Sequence, residues 1–292
     1  MDLSNLSFNY GESFDVDAIG TIIYRQEAHK FDGSLLHDFD FIVLTVHEEQ
    51  DTELTVEHTL VGDLPCQVLN VSVNSLRNWL ITGEKDDLIR CFMEGELVKD
   101  QNGKLAMLRR EYIEFEQPLR DRKMLYEFSR FLSIYVEAKR YMQSGYDIDA
   151  YQCVLVSLKH WARIELIERG VLPNEAVWEQ VKELNTAIHK LYEELTQSTE
   201  TISQRVELVL LACEFSVMSK MAECSVRLLQ ILRSRSKPWS IEELIQNPEL
   251  KIVKNELPLV MRKLVNRSLV KESVIWSGAP GYGSQGIRYS AE

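Results

Sequence analysis

The stretch that decides the fold is DGSLLHDFDFIVLTV, residues Asp32–Val46, because it places two aspartates directly before an apolar run. The run FIVLTV has the length and the β-branched composition of a buried strand. Side chains alternate between the two faces of a strand, so Asp38 and Asp40 are expected on the same side. Two carboxylates this close repel each other unless a cation lies between them. The pair therefore either holds a metal ion or forms a solvated, polar start to the strand.

The composition indicates two or three ordinary domains and no membrane segment. The chain has 292 residues, of which 45% are hydrophobic, enough for sizeable cores. No stretch reaches the roughly 18 unbroken apolar residues of a membrane helix, and the start, MDLSNLSFNYGESFD, lacks the pattern of a secretory signal. The five cysteines are scattered and form no C-x-x-C pair, so we expect buried thiols in a reducing cytoplasm.

The net charge of −12 is distributed unevenly along the chain. Residues 1–116 carry 9 Lys and Arg against 23 Asp and Glu, and residues 117–232 carry 14 against 16. Residues 233–292 carry 10 against 6 and are the only basic part. If the protein meets a polyanion, the basic C-terminal part is therefore the expected contact.

Hydrophobic periodicity predicts an α+β multidomain protein, and residues 1–116 have the mixed pattern of a sheet domain. The predicted strands are Ile19–Tyr24, Phe39–Val46, Leu54–Val61 and Val68–Val73. Helices are predicted at Val73–Ile81 and Asp86–Val98, and the Asn-Gly pair in Lys99–Leu105 indicates a reversal of the chain.

Residues 117–233 are expected to form an antiparallel bundle of four helices joined by short links. The first helix begins near Pro118, and the others are predicted at about Asp149–Glu168, Pro173–Leu195 and Thr201–Arg233. Thr201 and Gln204 have the spacing of a capping box, which marks the start of the last helix.

Residues 234–292 have the predicted element order of a winged helix-turn-helix: two helices, a strand, a glycine-rich loop and a final strand. Ser240 and Glu243 form a predicted capping box before the first helix, and the second spans Leu257–Asn266. The G-x-G-x-x-G at 281–286 is expected to be the tip of the hairpin, because a dinucleotide fingerprint must open a helix and only six residues follow it.

The order of the first part, with an aspartate pair on its second strand, resembles the nucleotidyltransferase superfamily, in particular its small bacterial members. The three-part order further resembles bacterial proteins known only as nucleotidyltransferase-like. The resemblance implies that Asp38 and Asp40 are catalytic ligands of Mg²⁺, which holds a nucleoside triphosphate. It also implies a phosphate-binding glycine-serine turn, for which Ser34 is the visible candidate, and a third carboxylate from a later strand. The acid and Asn-Gly turn common in the family is matched by Asp100–Gly103.

The sequence departs from this family at two features. About a dozen residues before the aspartates, where the family has its glycine-serine turn, the chain reads Tyr24-Arg25-Gln26. Ser34 is only four residues before Asp38. The third acid is expected from QVLNVSVN, where the alternating polar residues are Asn70, Ser72 and Asn74. Amides and hydroxyls do not act as general bases and bind Mg²⁺ more weakly than carboxylates.

These departures predict a degenerate active site in a protein that acts as a nucleotide-binding or regulatory scaffold. Active Mg²⁺-dependent nucleotidyl transfer is an alternative, if a spare acid completes the site. The spare acids nearby are Asp51, Glu53, Glu57 and Asp63.

Basic residues give the C-terminal part a second candidate site, for DNA. Arg262 and Lys263 lie on the predicted second helix, Arg267 directly follows it, and Arg288 lies on the last strand. All four are candidates for contacts to DNA phosphates. The alternative is that this part docks onto a protein or onto the rest of the chain, because a charged outer face is usual for an exposed helix. The expected partners are therefore a nucleotide, together with DNA or a protein, and no membrane.

His160 in SLKHW is a further candidate, because similar helical bundles include RNases that use an arginine and a histidine a few residues later. No arginine lies four to seven residues before His160 or His189. His160 is therefore expected to be a partly buried, hydrogen-bonded structural residue.

Overall fold

A computed structural model describes residues 18–25, 39, 41–48, 54–61, 64–184, 186–277 and 284–291. The chain divides into two compact units, residues 1–116 and 117–292. The assignment of residues 234–292 to a third domain stays a prediction. Across the described ranges, none of the helices combines the length and the apolar character needed to cross a membrane.

A five-stranded mixed sheet forms the centre of the described part of the first unit. Its strands are β1 (Ala18–Arg25), β2 (Phe41–His47), β3 (Thr55–Val61), β4 (Leu64–Ser72) and β5 (Glu96–Asp100). The order across the sheet is β3-β4-β2-β1-β5. β2 and β4 run parallel, and the other neighbouring strands are antiparallel.

Three helices cover one face of this sheet: α1 (Val73–Thr82), α2 (Asp86–Glu94) and α3 (Lys104–Glu114). Alternation along β2 sends Ile42, Leu44 and Val46 into the core shared with these helices. Phe41 and Val43 belong to a smaller apolar cluster. β2 is thus buried on both sides, which explains why its sequence is a continuous apolar run rather than an alternating one.

The predicted helix Asp86–Val98 is wrong at its end, because β5 begins at Glu96 and pairs with β1. Gly95 separates the helix from the strand, and a Cβ atom there would lie 2.5 Å from Cγ2 of Ile22. Asn102 and Gly103, both at positive φ, form a 3-10 turn that leads from β5 into α3. The Asn-Gly pair therefore starts a helix and does not close a hairpin.

The second unit begins with helices of very different lengths. They are α4 (Gln117–Gln143), α5 (Asp147–Glu168), α6 (Val177–Glu183), α7 (Ala187–Gln197), α8 (Ile202–Ser216), α9 (Met221–Cys224) and α10 (Val226–Arg233). α4 and α5 pack along each other, with Phe128 and Phe131 fully buried between neighbours. The predicted helix Pro173–Leu195 is two helices, and the predicted helix Thr201–Arg233 is interrupted by a 3-10 turn at Met218–Lys220. The capping box of Thr201 and Gln204 is confirmed.

The C-terminal elements are α11 (Ile241–Ile245), a 3-10 segment (Pro248–Val253), α12 (Leu257–Asn266), β6 (Lys271–Ser277) and β7 (Ser284–Ser290). β6 and β7 form an antiparallel hairpin, and Trp239 adds a single bridge to Tyr289. The capping box of Ser240 and Glu243 is confirmed. This is the element order from which the winged helix was predicted, and the winged-helix assignment itself stays a prediction.

The C-terminal elements pack against α4 within the second unit. The carboxylate of Glu256, directly before α12, is buried and lies 2.8 Å from Nη1 of Arg130 on α4. Glu249 pairs with Arg227 on α10 and lies 3.5 Å from Arg122 on α4. These ion pairs fix α12 and the 3-10 segment to the helices before them.

Candidate functional site

The first candidate site is the sheet edge where β2 begins. The strand registers place Arg25 of β1 beside Phe41 of β2, and Phe41 beside Cys66 of β4. In the sequence, Asp38 and Asp40 come directly before this edge. Asp38, Asp40 and Ser34 lie outside the described residues, so their assignment as metal and nucleotide ligands stays a prediction.

One row of side chains crosses four neighbouring strands next to this edge, on the face of Ile42. Tyr24 of β1 is opposite Ile42 of β2, Ile42 is opposite Gln67 of β4, and Gln67 is opposite His58 of β3. Register partners share a face of the sheet, so these four side chains lie on the helix-covered face. The row therefore brings a phenol, an amide and an imidazole close to the strand end that follows the aspartates.

Gln67 is the residue of this row that the sequence reasoning missed. It is 3% exposed, its Nε2 lies 3.3 Å from Nε2 of His58, and its Oε1 has no hydrogen-bond partner within the described residues. An unpartnered buried oxygen is costly, and an amide oxygen is an acceptable, though weak, ligand for a hard cation. Residues of β4 alternate between the two faces of the sheet, and only the register with β2 shows that Gln67 is on the face of Ile42.

The positions that the sequence indicated for a third acid lie elsewhere. Asn70 is opposite Thr45 on the other face of the sheet, and its Nδ2 donates to Oγ1 of Thr55 at 3.2 Å. Ser72 ends β4, because its hydroxyl accepts from the backbone N–H of Ser75 and caps α1. Asn74 is inside α1.

The carboxylate attached to the row is Glu94 of α2, whose Oε2 accepts from the hydroxyl of Tyr24 at 3.4 Å. Burial, followed by the charge of Glu94, raises the pKa of Tyr24. Of the spare acids, Glu57 of β3 is opposite Val68 and is exposed. Asp51, Glu53 and Asp63 lie outside the described residues. Among the residues that are described, no group of three His, Cys, Asp or Glu side chains is close enough to hold a metal ion.

Asp100 of the acid and Asn-Gly turn has a structural role. Its Oδ1 accepts from the backbone N–H of Leu105 and its Oδ2 from that of Ala106, both at 3.0 Å. The carboxylate thus satisfies two of the free amides at the start of α3 and lies at the positive end of that helix. This explains the acid in the turn without any contact to a substrate.

The four basic candidates for DNA binding separate into two pairs. Arg262 forms an ion pair with Glu272, and Arg288 lies 2.7 Å from Glu243. The backbone hydrogen bond from Ser240, then the neighbouring arginines, lower the pKa of Glu243 to about 2, so this partner stays ionised. Neither arginine is therefore an uncompensated cation.

The other two, Lys263 and Arg267, line a cavity of about 480 Å³ in the second unit. α4 supplies Lys139 and Arg140 to the same cavity, and α8 supplies Glu214. The cavity is the second candidate site, and sequence reasoning missed it because its cationic residues come from helices far apart in the chain.

His160 lies in a buried cluster, as its structural role predicts. Nδ1 of His160 is 2.5 Å from Oε2 of Glu127, and Nη1 of Arg163 is 3.4 Å from Oε1 of the same carboxylate. Glu127 is 3% exposed and His160 8% exposed. His160 and Arg163 compensate the buried carboxylate of Glu127. The cluster therefore has a structural role, holding α5 against α4.

Comparisons with known proteins agree with this fold. Residues 10–122 match the family described as Nucleotidyltransferase-like, and residues 121–220 match the YgxA-like substrate binding domain. The uncharacterized protein YgxA of Bacillus subtilis (strain 168) is 28% identical over 237 residues, which are 81% of this chain and 80% of that protein. The crystal structure of a nucleotidyltransferase-like protein from Exiguobacterium sibiricum 255-15 has a TM-score of 0.84 and 25% identity, covering 99% of this chain and 97% of that one. The chain therefore contains a nucleotidyltransferase-like domain, residues 10–122, followed by a region similar to the YgxA-like substrate binding domain.

Proposed function

We propose that this protein binds a nucleoside triphosphate with Mg²⁺ at the sheet edge before β2 and acts as a nucleotide-binding or regulatory scaffold without nucleotidyl transfer. The observation that carries the proposal is that β4, the strand parallel to β2, contains no carboxylate among residues Leu64–Ser72. In register with the start of β2, on the face of Ile42, β4 presents Gln67.

The absence of a carboxylate on β4 is the reason to propose that the site binds a nucleotide but does not transfer it. Two carboxylates, Asp38 and Asp40 in this proposal, are sufficient to hold Mg²⁺ together with phosphate oxygens. Transfer also needs a group that accepts the proton of the attacking hydroxyl, and an amide such as Gln67 does not accept one at neutral pH. The amide oxygen of Gln67 fits a place near the metal or its bound water, because it is buried and has no other partner within the described residues. Bound Mg²⁺ would neutralise phosphate charge, whereas the chain's own residues would position the nucleotide.

The first test is a thermal shift of the full-length protein with each nucleoside triphosphate, with and without Mg²⁺. A rise of the melting temperature is expected that needs both the nucleotide and Mg²⁺, and Asp38→Asn should remove it. Asp87→Asn is the matched control, because Asp87 is an acid of α2 that lies 3.9 Å from Arg90 and belongs to no proposed site. The proposal fails if no triphosphate changes the melting temperature, or if Asp38→Asn responds like the wild type.

The second test separates binding from transfer. The protein is incubated with α-labelled triphosphates and with a lysate as the source of acceptors, and no label is expected on any acceptor. Label transfer that is lost in Asp38→Asn would show an active enzyme and overturn the degenerate site. The variant Gln67→Glu returns a carboxylate to β4, and we expect Mg²⁺ to stabilise it more than it stabilises the wild type, because the added charge is buried without a metal.

DNA binding through the C-terminal part is the second candidate function, favoured by the hairpin β6 and β7 and by the basic residues of α12. The ion pairs of Arg262 and Arg288 with Glu272 and Glu243 count against it, because paired cations contribute less to phosphate contacts. A gel shift of the full chain on duplex DNA at two salt concentrations tests it. Binding that weakens steeply with salt is the expected signature of phosphate contacts, and a missing shift at low salt removes this candidate.

A further inference from the structure

The cavity of the second unit is a built pocket that the proposed nucleotide site does not use. Its volume of about 480 Å³ falls in the range of roughly 300–1,000 Å³ that is typical for pockets of small ligands. Its walls come from the C-terminal half of α4, the end of α8 with the following turn, and the end of α12. Val136 and Met218 contribute apolar surface to these walls.

The polar lining is dominated by cations. Lys139, Arg140, Lys263 and Arg267 face one carboxylate, Glu214, so the lining carries an excess of three positive charges. Oε2 of Glu214 accepts from Nζ of Lys139 at 2.8 Å and from the hydroxyl of Tyr135 at 3.0 Å. These hydrogen bonds, with the charges of Lys139 and Lys263, lower the pKa of Glu214. The carboxylate of Glu214 therefore stays ionised and balances the charge of Lys139.

Lys263 and Arg267 are the least compensated cations of the lining, and of the two only Lys263 acts on the pKa of Glu214. Lys263 lies in the last turn of α12 and Arg267 directly follows its end, and within the described residues neither forms an ion pair. Arg262, their neighbour on the same helix, forms an ion pair with Glu272 and does not line the cavity. Arg140 is partly compensated, because its Nη2 lies 3.5 Å from Glu137.

The ends of two helices offset part of the positive charge. α4 ends at Gln143 and α12 at Asn266, and both residues line the cavity. A helix C-terminus carries about half a negative charge, so the two ends together offset about one of the three excess charges. A net positive charge remains on the lining, which favours an anionic ligand.

We propose that this cavity binds a small molecule carrying a phosphate monoester. Arginine and lysine donate charge-assisted hydrogen bonds to phosphate oxygens, and Lys263 and Arg267 place two cations at one end of α12 for this purpose. The apolar side chains of Val136 and Met218 face the organic part of the ligand. The site differs from the nucleotide site proposed for the first unit, because its charge comes from the protein alone and needs no Mg²⁺.

The test is calorimetric titration of the full-length protein with phenyl phosphate in EDTA, which silences any Mg²⁺-dependent site. Phenol is the uncharged control ligand. Binding of phenyl phosphate is expected in the micromolar to millimolar range, and phenol should give no comparable heat. The double variant K263Q/R267Q should weaken binding about tenfold or more, whereas Arg262→Gln should stay within about twofold of the wild type because Arg262 is paired elsewhere.

A second variant is expected to change the affinity for phenyl phosphate in the opposite direction. Glu214→Gln removes the one carboxylate among the described residues that line the cavity, so we expect tighter binding of phenyl phosphate by several-fold. Asp38→Asn, in the first unit, should bind phenyl phosphate like the wild type, so failure of the nucleotide proposal leaves this one standing. All variants are compared only after their thermal melts show a folded protein.

Three results would overturn the proposal. The first is the absence of binding heat for phenyl phosphate in the millimolar range. The second is unchanged affinity in K263Q/R267Q or weaker binding in Glu214→Gln. The third is binding of duplex DNA that K263Q/R267Q abolishes while phenyl phosphate does not bind, since Lys263 and Arg267 would then belong to a nucleic-acid interface.

Discussion

Replacing Glu127 by leucine is expected to destabilise the second unit strongly. The carboxylate is 3% exposed and accepts from both His160 and Arg163. Leucine has a similar volume, so the packing of α4 on α5 is kept and the change isolates the loss of the acceptor. His160 then becomes a buried donor without a partner, and Arg163, whose side chain is 19% exposed, loses its ion pair.

The magnitude follows from these two losses. Leaving a buried donor unpaired costs about 1–3 kcal/mol, and removing one partner of a buried ion pair costs about 3–5 kcal/mol in total. Arg163 can turn toward water, which puts the expected loss near the lower end, about 3 kcal/mol. For a unit of this size each kcal/mol lowers the melting temperature by about 2–4 °C, so a decrease of roughly 6–12 °C is expected.

The assay is thermal and urea unfolding followed by far-UV circular dichroism, which the helices of the second unit dominate. Glu137→Leu is the matched control on the same helix, because Glu137 is partly exposed and its ion pair with Arg140 is 3.5 Å long. Surface pairs of this kind contribute about 0–1 kcal/mol. If Glu127→Leu unfolds within about 1 kcal/mol of the wild type, the cluster does not stabilise the fold in the way described.

Three further predictions concern other parts of the molecule. Gly20→Ala should cost about 1–3 kcal/mol in urea unfolding, because its Cβ atom would lie 2.2 Å from Cδ1 of Leu105. The pKa of Glu243 is about 2 in the folded protein, below the ordinary 4.5, so its interactions stabilise the fold above that ordinary value and are lost as the pH falls toward about 2. The difference in unfolding free energy between the wild type and Glu243→Gln should therefore shrink on acidification over this window. Iodoacetamide should label Cys153 in the native protein and leave the other four cysteines, which are buried, unlabelled by mass spectrometry until it unfolds.

The centre of the sheet could be predicted because β1 and β2 are buried along almost their whole length. The continuous apolar sequence of β2 stands out without any structural information, and four of the five described strands were predicted near their observed positions. β5 was not, because Glu96–Asp100 is short and continues the apolar pattern of α2. Only the close approach of Gly95 to Ile22 shows that the helix must end there.

The helix breaks in the second unit depend on tertiary contacts that a single sequence does not reveal. Lys220, in the 3-10 turn after α8, reaches Glu165 at 3.0 Å and Glu168 at 2.6 Å on α5. The apolar period continues through this turn, so periodicity predicts one long helix. Capping boxes were predictable, because Thr201 with Gln204 and Ser240 with Glu243 are local patterns.

In the candidate sites, too, local motifs could be predicted from the sequence, whereas groups of residues that are distant in the chain could not. The aspartate pair is visible as a short motif, whereas only the register with β2 shows that Gln67, and not Asn70, shares the face of Ile42. The cavity combines Lys139 with Arg267, which are distant in the chain, and no local pattern connects them.

The ion pairs that join α4 to the C-terminal elements have a practical consequence for dissecting the protein. A fragment that starts at residue 234 would lack Arg130 and Arg122, so Glu256 and Glu249 would lose their α4 partners. Such a piece would therefore be less stable than the same residues in the full chain, because it would lack these contacts to α4. Residues 117–292 should therefore be expressed, swapped or fused as one block.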